Sequence, residues 1–499
     1  MPLPAPLTRA GGLSAPPHTP LREYLGKVQM DLWQLSASDL ARALAARQVA
    51  PSEVMAAYLA RIAVVNPGLN ALVSLRDPDD LMAEARVADD AAPKGWLHGM
   101  PFAVKDLCAT KGLRTTWGSP LFENFIPEQD DLLAARMRGA GAIFIGKSNS
   151  PEWGHGSHTF NPVFGPTHNP YDQARTPGGS SGGAAAALAA RIVPVADGSD
   201  MMGSLRNPAA FCNVYGLRPS WGLVPADAQG DTYLSTMSTE GPMGRTIEDV
   251  ANLLQVQAGP NPAVPFDRAA DGYVAALKGA SLKGKRIAWA ADWGGAYATE
   301  PGILDLCQAA LHQMEEMGAI VEPIAPPFPA EQMWQAWVTL RAMMNANAFR
   351  ALYADPAKRA QIKPETIWEI EQGLTLSAQA VYEASVVRSA WYAAASRLFD
   401  LYDAIALPTA QVWPFPVEWR WPQAIGARKM DTYHRWMEVV IPAALIGLPT
   451  LSVPVGFGEN GLPMGMQLAG RVGRDGAVLA MGQAWHEATD WPNQRPPVL

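Results

Sequence analysis

The chain has 499 residues, a formal net charge of −8, and 48% hydrophobic against 17% charged residues. That balance is globular rather than disordered and long enough for a large core, and its acidity argues against nucleic-acid or anionic-membrane partners, which want a basic face. No apolar run approaches the ~20 residues that span a bilayer. Three scattered cysteines, Cys108, Cys212 and Cys307, suit neither a disulfide framework nor a zinc site, so a reducing cytoplasm is the expected location.

Residues 1–29 are Pro-rich and lack an apolar signal-peptide core, so they are expected to be a flexible extension; patterned sequence opens at Met30, an alternative start. Ser38 is a candidate cap for a helix through Gln48, and Ser52 for one through Val65, with Met55, Leu59 and Ile62 on one face. "GMPFAVKD" (Gly99–Asp106) reads as a short buried strand, "DDLLAARMRGAG" as a helix ending at Gly, and "AIFIGK" and "IVPVAD" (Ile192–Asp197) as strands. Later come helix "ILDLCQAALHQMEEMGA", strands "IVEPI", "LSVPVGF" and "MGMQLAG", and a closing helix "GAVLAMGQAWHEAT". Such alternation predicts an α/β fold with a largely parallel or mixed sheet. No internal repeat or boundary divides residues 30–499, but the stretch at about 330–440 is mostly helical and holds eight of the 17 tryptophans.

"PGGSSGGAAAALAAR" (Pro177–Arg191) admits three readings: a flexible linker, a phosphate loop or a serine held for chemistry. A linker would not run into Ala184–Ala190, where helix propensity is highest. Gly141–Ser148, "GAIFIGKS", satisfies the P-loop pattern, but its middle four residues form a buried strand, and Lys147 fits a strand end better. Gly178–Gly182, "GGSSG", satisfies the nucleophile-elbow pattern around Ser180. Its histidine would have to be His312, His434 or His486, none of which follows a strand. His155 and His158, with His168 beyond, make a poor metal set.

A serine enzyme without histidine remains. "VADGSDMMGSLRNPAAF" (Val195–Phe211) leads a strand into a loop that presents Ser204, and "PFAVKD" places Lys105 in an apolar strand, with Asp106 on the opposite side. A buried lysine without an adjacent anion tends to lose its proton and can then act as a general base; a lysine that snorkels or pairs with a carboxylate is the competing reading, and the favoured one for this segment taken alone. Lowering its pKa from about 10.4 toward 7 costs about 4–5 kcal/mol.

Together these segments closely resemble the amidase signature family. The similarity runs from about residue 30 to the C-terminus and is densest over Gly99–Ser220. "GMPFAVKDLCATKGLRTTWGS" resembles the family's lysine segment, "GKSNSPEW…NPYDQARTPGGSSGG" its approach to the Gly/Ser loop, and "GSDMMGSLRNPAAFCNVYGLRPS" its nucleophile segment. "ALPTA" and "GLPTLSVPVGF…GLPMGMQLAG" resemble its closing strands. The resemblance implies one α/β/α domain, a mixed sheet between helical layers, that hydrolyses amides without cofactor or metal. It implies Ser204 as nucleophile, Ser180, on a cis peptide, as bridging serine, and Lys105 as base. The backbone amides of Met201, Met202, Gly203 and Ser204 match its oxyanion hole. Asp200 and Arg206 match as a loop-shaping pair, and Ser181 as a buttress. "MM" stands where Thr-Gly is usual, which narrows the acyl site, or strains it if φ is positive there.

The expected substrate is a small-molecule amide, with ester or carbamate cleavage also in scope; a homodimer is compatible. Trp334, Trp337, Trp413, Trp419 and Trp421, with Met202, are candidates for an apolar or aryl pocket wall; core packing is the competing reading. Alternatives are the glutamine-hydrolysing component of an amidotransferase, a Ser-His-Asp α/β-hydrolase and a silent scaffold.

Overall fold

Mostly buried strands organise the chain into two main sheets. The computed structural model describes residues 32–225, 227, 230–269 and 272–499; the expected extension at 1–29 lies outside the described residues. A three-stranded sheet is built from β1 (Leu72–Val73), β2 (Pro101–Lys105) and β3 (Ile143–Ser148), with β2 parallel to β3 and Lys105 opposite Ser148.

The larger sheet has eight strands: β4 (Ala196–Asp200), β5 (Tyr215–Arg218), β6 (Thr239–Gly244), β7 (Arg286–Trp289), β8 (Ile320–Pro323), β9 (Ala404–Pro408), β10 (Thr450–Phe457) and β11 (Pro463–Ala469). Their spatial order is β8-β7-β9-β11-β10-β5-β6-β4. Only β8–β7 and β7–β9 pair in parallel, so the sheet is mixed and mostly antiparallel. Successive residues of β9 and β11 point to opposite faces, yet all are buried. Helices therefore cover both faces of the central strands.

The two sheets meet where β2 ends beside β4. The Lys105 backbone N–H donates to Asp197 Oδ1 at 3.0 Å, so a side chain replaces the next rung of a ladder. Helix α1 (Gly182–Ala189) packs against both sheets, and the short helix α2 (Arg206–Phe211) lies on β5, β10 and β11. The expected helical stretch contains α3 (Ala330–Ala348), which packs on α4 (Pro364–Leu374) and α5 (Ala378–Leu398).

Two expected caps differ from the structure. Ser36, not Ser38, caps Ala37–Ala45, taking the Asp39 N–H at 3.0 Å; Ser38 Oγ donates instead to the buried Asp249 at 2.8 Å. Pro51, not Ser52, opens Pro51–Leu69, because proline suits the first turn, and Ser52 Oγ bonds Asp89. The expected strand at 192–197 is instead β4, at 196–200, since Arg191–Pro194 turn the chain first.

Candidate active site

Lys105 closes β2 with its side chain wholly buried at the seam. Its Nζ lies 2.8 Å from Ser180 Oγ, 2.8 Å from Ser181 Oγ and 2.9 Å from Ser199 Oγ. Among the described residues no carboxylate contacts the amine. Asp106 points away and is held by Thr116 N and Oγ1, and Asp197 binds the Lys105 backbone rather than its amine. Burial pushes the amine down to about 8, against the opposing pull of Glu240, Asp197 and Asp200.

Ser180 and Ser181 precede α1, and the Gly179–Ser180 peptide is cis. The flanking glycines serve close packing. A Cβ on Gly183 would stand 2.3 Å from Asn149 N, so only glycine lets α1 approach β3. Ser181 Oγ also takes the Ser199 N–H, at 3.3 Å, which makes it a link between α1 and β4.

Ser204 lies in the loop between β4 and α2. Its hydroxyl opens into a cavity of ≈ 270 Å³ that Ser180 and Ser199 also line. Ser204 Oγ makes no hydrogen bond to Ser180 or to any other group among the described residues. The structure thus joins Lys105 to Ser180 directly and places Ser204 in the same cavity.

Asp200 shapes this loop. Its carboxylate receives Arg206 Nε at 3.0 Å and Nη2 at 3.1 Å, Arg218 Nη1 at 3.3 Å, Gly203 N at 2.8 Å and Leu205 N at 3.2 Å. All three charged side chains are wholly buried. Against burial, which pushes it up, the two guanidiniums hold Asp200 well below the usual carboxylate range. Because Gly203 gives its N–H to Asp200, the amides of Met201, Met202 and Ser204 are the ones without a protein acceptor among the described residues. Gly203 has φ +81, whereas neither methionine has positive φ, so "MM" brings no such strain.

The helical stretch supplies much of the cavity wall, but not through the expected tryptophans. Arg341, Asn345, Phe349, Tyr433, His434 and Met437 line it. Trp334 and Trp337 are buried behind, edge-on to His434 at 5.2 and 5.3 Å. Trp413, Trp419 and Trp421 lie outside this lining. Trp153 lines it instead, its ring 5.0 Å from Phe349.

Arg341 is neutralised within the wall. It bonds Glu369 Oε1 at 2.7 Å and Tyr433 OH at 3.1 Å, while Tyr433 and Asn345 also donate to Glu369. His155 and His434 line the cavity, and burial pushes both down. Neither bonds Ser180 or Ser204; they pair with Thr366 and Thr432. Lys147, the residue of the P-loop pattern, is buried with Nζ on Cys108 O and Thr110 Oγ1, which ties β3 to the loop after β2. Among the described residues no cluster of His, Cys, Asp and Glu could hold a metal ion, and no helix is long and apolar enough to cross a membrane.

Ser199 and Glu240, two further groups beside Lys105, had only a weak sequence signal. Asp197 and Ser199 alternate on one face of β4, which points both at β2. Glu240 joins them through its register with Ser199.

The amidase family model matches residues 53–479. The chain therefore belongs to the amidase signature family, hydrolases that act on C–N bonds of small amides. It is 33% identical to an acylamidase of Rhodococcus erythropolis over 94% of this chain and 98% of the relative. It is 37% identical to a glutamyl-tRNA(Gln) amidotransferase subunit of Thermus thermophilus over 90% and 96%. The structure of a bacterial aryl acylamidase of this family superposes with a TM-score of 0.86 at 30% identity, covering 93% of this chain and 99% of that one.

Proposed function

We propose that this protein is a stand-alone amidase that acylates Ser204 and favours amides with an aryl or large apolar group. The observation that carries the chemistry is the buried Lys105 amine, held by three hydroxyls with no carboxylate on it among the described residues. A neutral Lys105 takes the proton of Ser180 as Ser180 takes that of Ser204. The Ser204 oxygen then adds to the amide carbonyl. The Met201, Met202 and Ser204 amides receive the oxyanion, and such donors are worth about 2.7–4 kcal/mol each. The proton returns through Ser180 to the leaving nitrogen, and water repeats the cycle on the acyl-enzyme. For this the Ser204 side chain must turn toward Ser180; such contacts are often loose before substrate binds. The same steps cleave esters and carbamates.

The aromatic wall of Trp153, Phe349 and Tyr433, with Met202 and Met437, supports the substrate preference. So does the similarity to an acylamidase and to an aryl acylamidase structure. The second reading is glutamine hydrolysis within an amidotransferase, favoured by the glutamyl-tRNA(Gln) amidotransferase relatives and by Arg341 and Glu240 in one cavity. Against it, Arg341 is already paired with Glu369 and offers no free cation to a substrate carboxylate.

An anilide should therefore show kcat/KM at least tenfold above glutamine or acetamide, which asks for only about 1.4 kcal/mol from the wall. Phe349→Ala should erase most of that margin while leaving acetamide turnover nearly unchanged. A preference for glutamine over every aryl amide would overturn this reading in favour of the second.

A further inference from the structure

We propose that Glu240 is a positioning residue for the base: its carboxylate is the counter-charge that holds the proton on Lys105 while Ser204 is being acylated. This rests on Lys105 acting as the base.

The placement follows from the sheet. Glu240 in β6 lies directly opposite Ser199 in β4, in antiparallel register. Directly opposed residues project to the same face with Cβ atoms about 4.5–5.5 Å apart. Ser199 Oγ is 2.9 Å from Lys105 Nζ, and Glu240 lines the same cavity as Ser180, Ser199 and Ser204. Glu240 thus lies in the same cavity as the hydroxyls that hold the amine, and no ion pair joins it to Lys105. A direct pair would lock Lys105 as an ammonium; a nearby carboxylate that is not bonded to it leaves the free amine accessible and still attracts the cation once it forms.

The other charged groups around this point are already committed. Asp197 accepts the Lys105 backbone N–H and feels Lys147. Asp200 is saturated by Arg206 and Arg218. Asp131 takes Ala109 N, and Asp227 takes Leu132 N. Burial and the neighbouring acids Asp197, Asp131 and Asp227 push Glu240 up, with Lys105 pulling the other way. Glu240 and Lys105 therefore titrate as a pair, each set by the charge of the other.

The proton balance is simple. The proton leaves Ser204 Oγ as the oxygen–carbon bond forms, passes through Ser180 and arrives on Lys105 Nζ. The new ammonium and the Glu240 carboxylate then sum to zero charge. When the carbon–nitrogen bond breaks, the same proton goes to the leaving amine, and Lys105 is neutral again.

The test is the pH profile of kcat/KM and kcat for Glu240→Gln and Glu240→Asp with an anilide. In the wild type the acid limb should rise through about pH 8, where Lys105 and Glu240 titrate together and leave a neutral amine beside an ionised carboxylate. Removing the negative neighbour favours neutral Lys105, so in Glu240→Gln the limb should move to lower pH by about 1–3 units. The base is then weaker, and kcat on the plateau should fall roughly tenfold with KM little changed. Glu240→Asp should restore part of the shift. An unmoved limb overturns the proposal, and a raised KM alongside it makes Glu240 a substrate contact. A fluorophosphonate probe reports whether each variant is folded at the site, and Glu240→Asp carries the test if the glutamine variant does not fold. Lys105→Ala in the same series separates the two claims. If it keeps the wild-type activity and limb, the base assignment itself fails; if it loses them while Glu240→Gln moves nothing, only the role of Glu240 falls.

Discussion

Ser204→Ala will reduce kcat by about 10⁶-fold, the scale on which serine acyl-enzyme chemistry collapses when its nucleophile goes. Without Oγ no acyl-enzyme forms, and water must attack the bound amide directly. Lys105→Ala and Ser180→Ala should each cost about 10²–10⁴-fold, the range of general acid–base assistance. The two should differ in pH response. Lys105→Ala should recover partly at high pH, where hydroxide replaces the amine. Ser180→Ala should keep the acid limb, since the amine still titrates. Steady-state kinetics from pH 6 to 10 distinguish these outcomes, and near-normal turnover by Ser204→Ala would refute the assignment.

Asp200→Asn should be the most destabilising single change at the site. It leaves Arg206 and Arg218 wholly buried with no counter-ion, at a cost of about 3–5 kcal/mol. It also loosens the carboxylate that takes the Gly203 and Leu205 amides, so activity should fall with stability. The pH dependence has a definite sign. The folded carboxyl titrates below its ordinary range, so its contribution is complete above the unfolded pKa of about 3.9 and is lost as pH falls toward the folded one. Denaturant unfolding at pH 7 measures the loss, and an unchanged midpoint would show that the triple ion cluster does not bear on stability.

What was legible in the sequence was what a short segment decides by itself. A lysine inside the apolar "PFAV" strand is legible as a buried cation, but that segment alone fits pairing or snorkelling as well as catalysis; the structure buries it with no carboxylate partner among the described residues. The Gly/Ser run ahead of alanines is legible as a loop that opens a helix rather than a linker, and α1 begins there; the close approach of Gly183 to Asn149 depends on where β3 lies and is not legible locally. Asp200 and Arg206 are marked as a pair by the family resemblance; Arg218, on β5 and separated from β4 by β6, is not. Glu240 is not legible in the sequence because its place depends on the β4–β6 register, which brings residues 41 apart in number face to face. The tryptophans failed as markers of the wall for a related reason. Helix α3 turns Arg341 and Asn345 toward the cavity and Trp334 and Trp337 behind it, and composition alone does not say which face a helix presents. Residue type alone does not fix the caps. Ser38 and Ser52 suit helix starts, but each met a carboxylate from a distant helix, Asp249 and Asp89, while Ser36 and Pro51 took the first turns.

The most direct test of the account is where a fluorophosphonate probe attaches. Intact mass followed by peptide mapping should find one adduct, on the peptide that holds Ser204, absent in Ser204→Ala and slowed in Lys105→Ala. An adduct on Ser180, or none on an enzyme that still turns over an anilide, would contradict the assignment of Ser204 as the acylated residue.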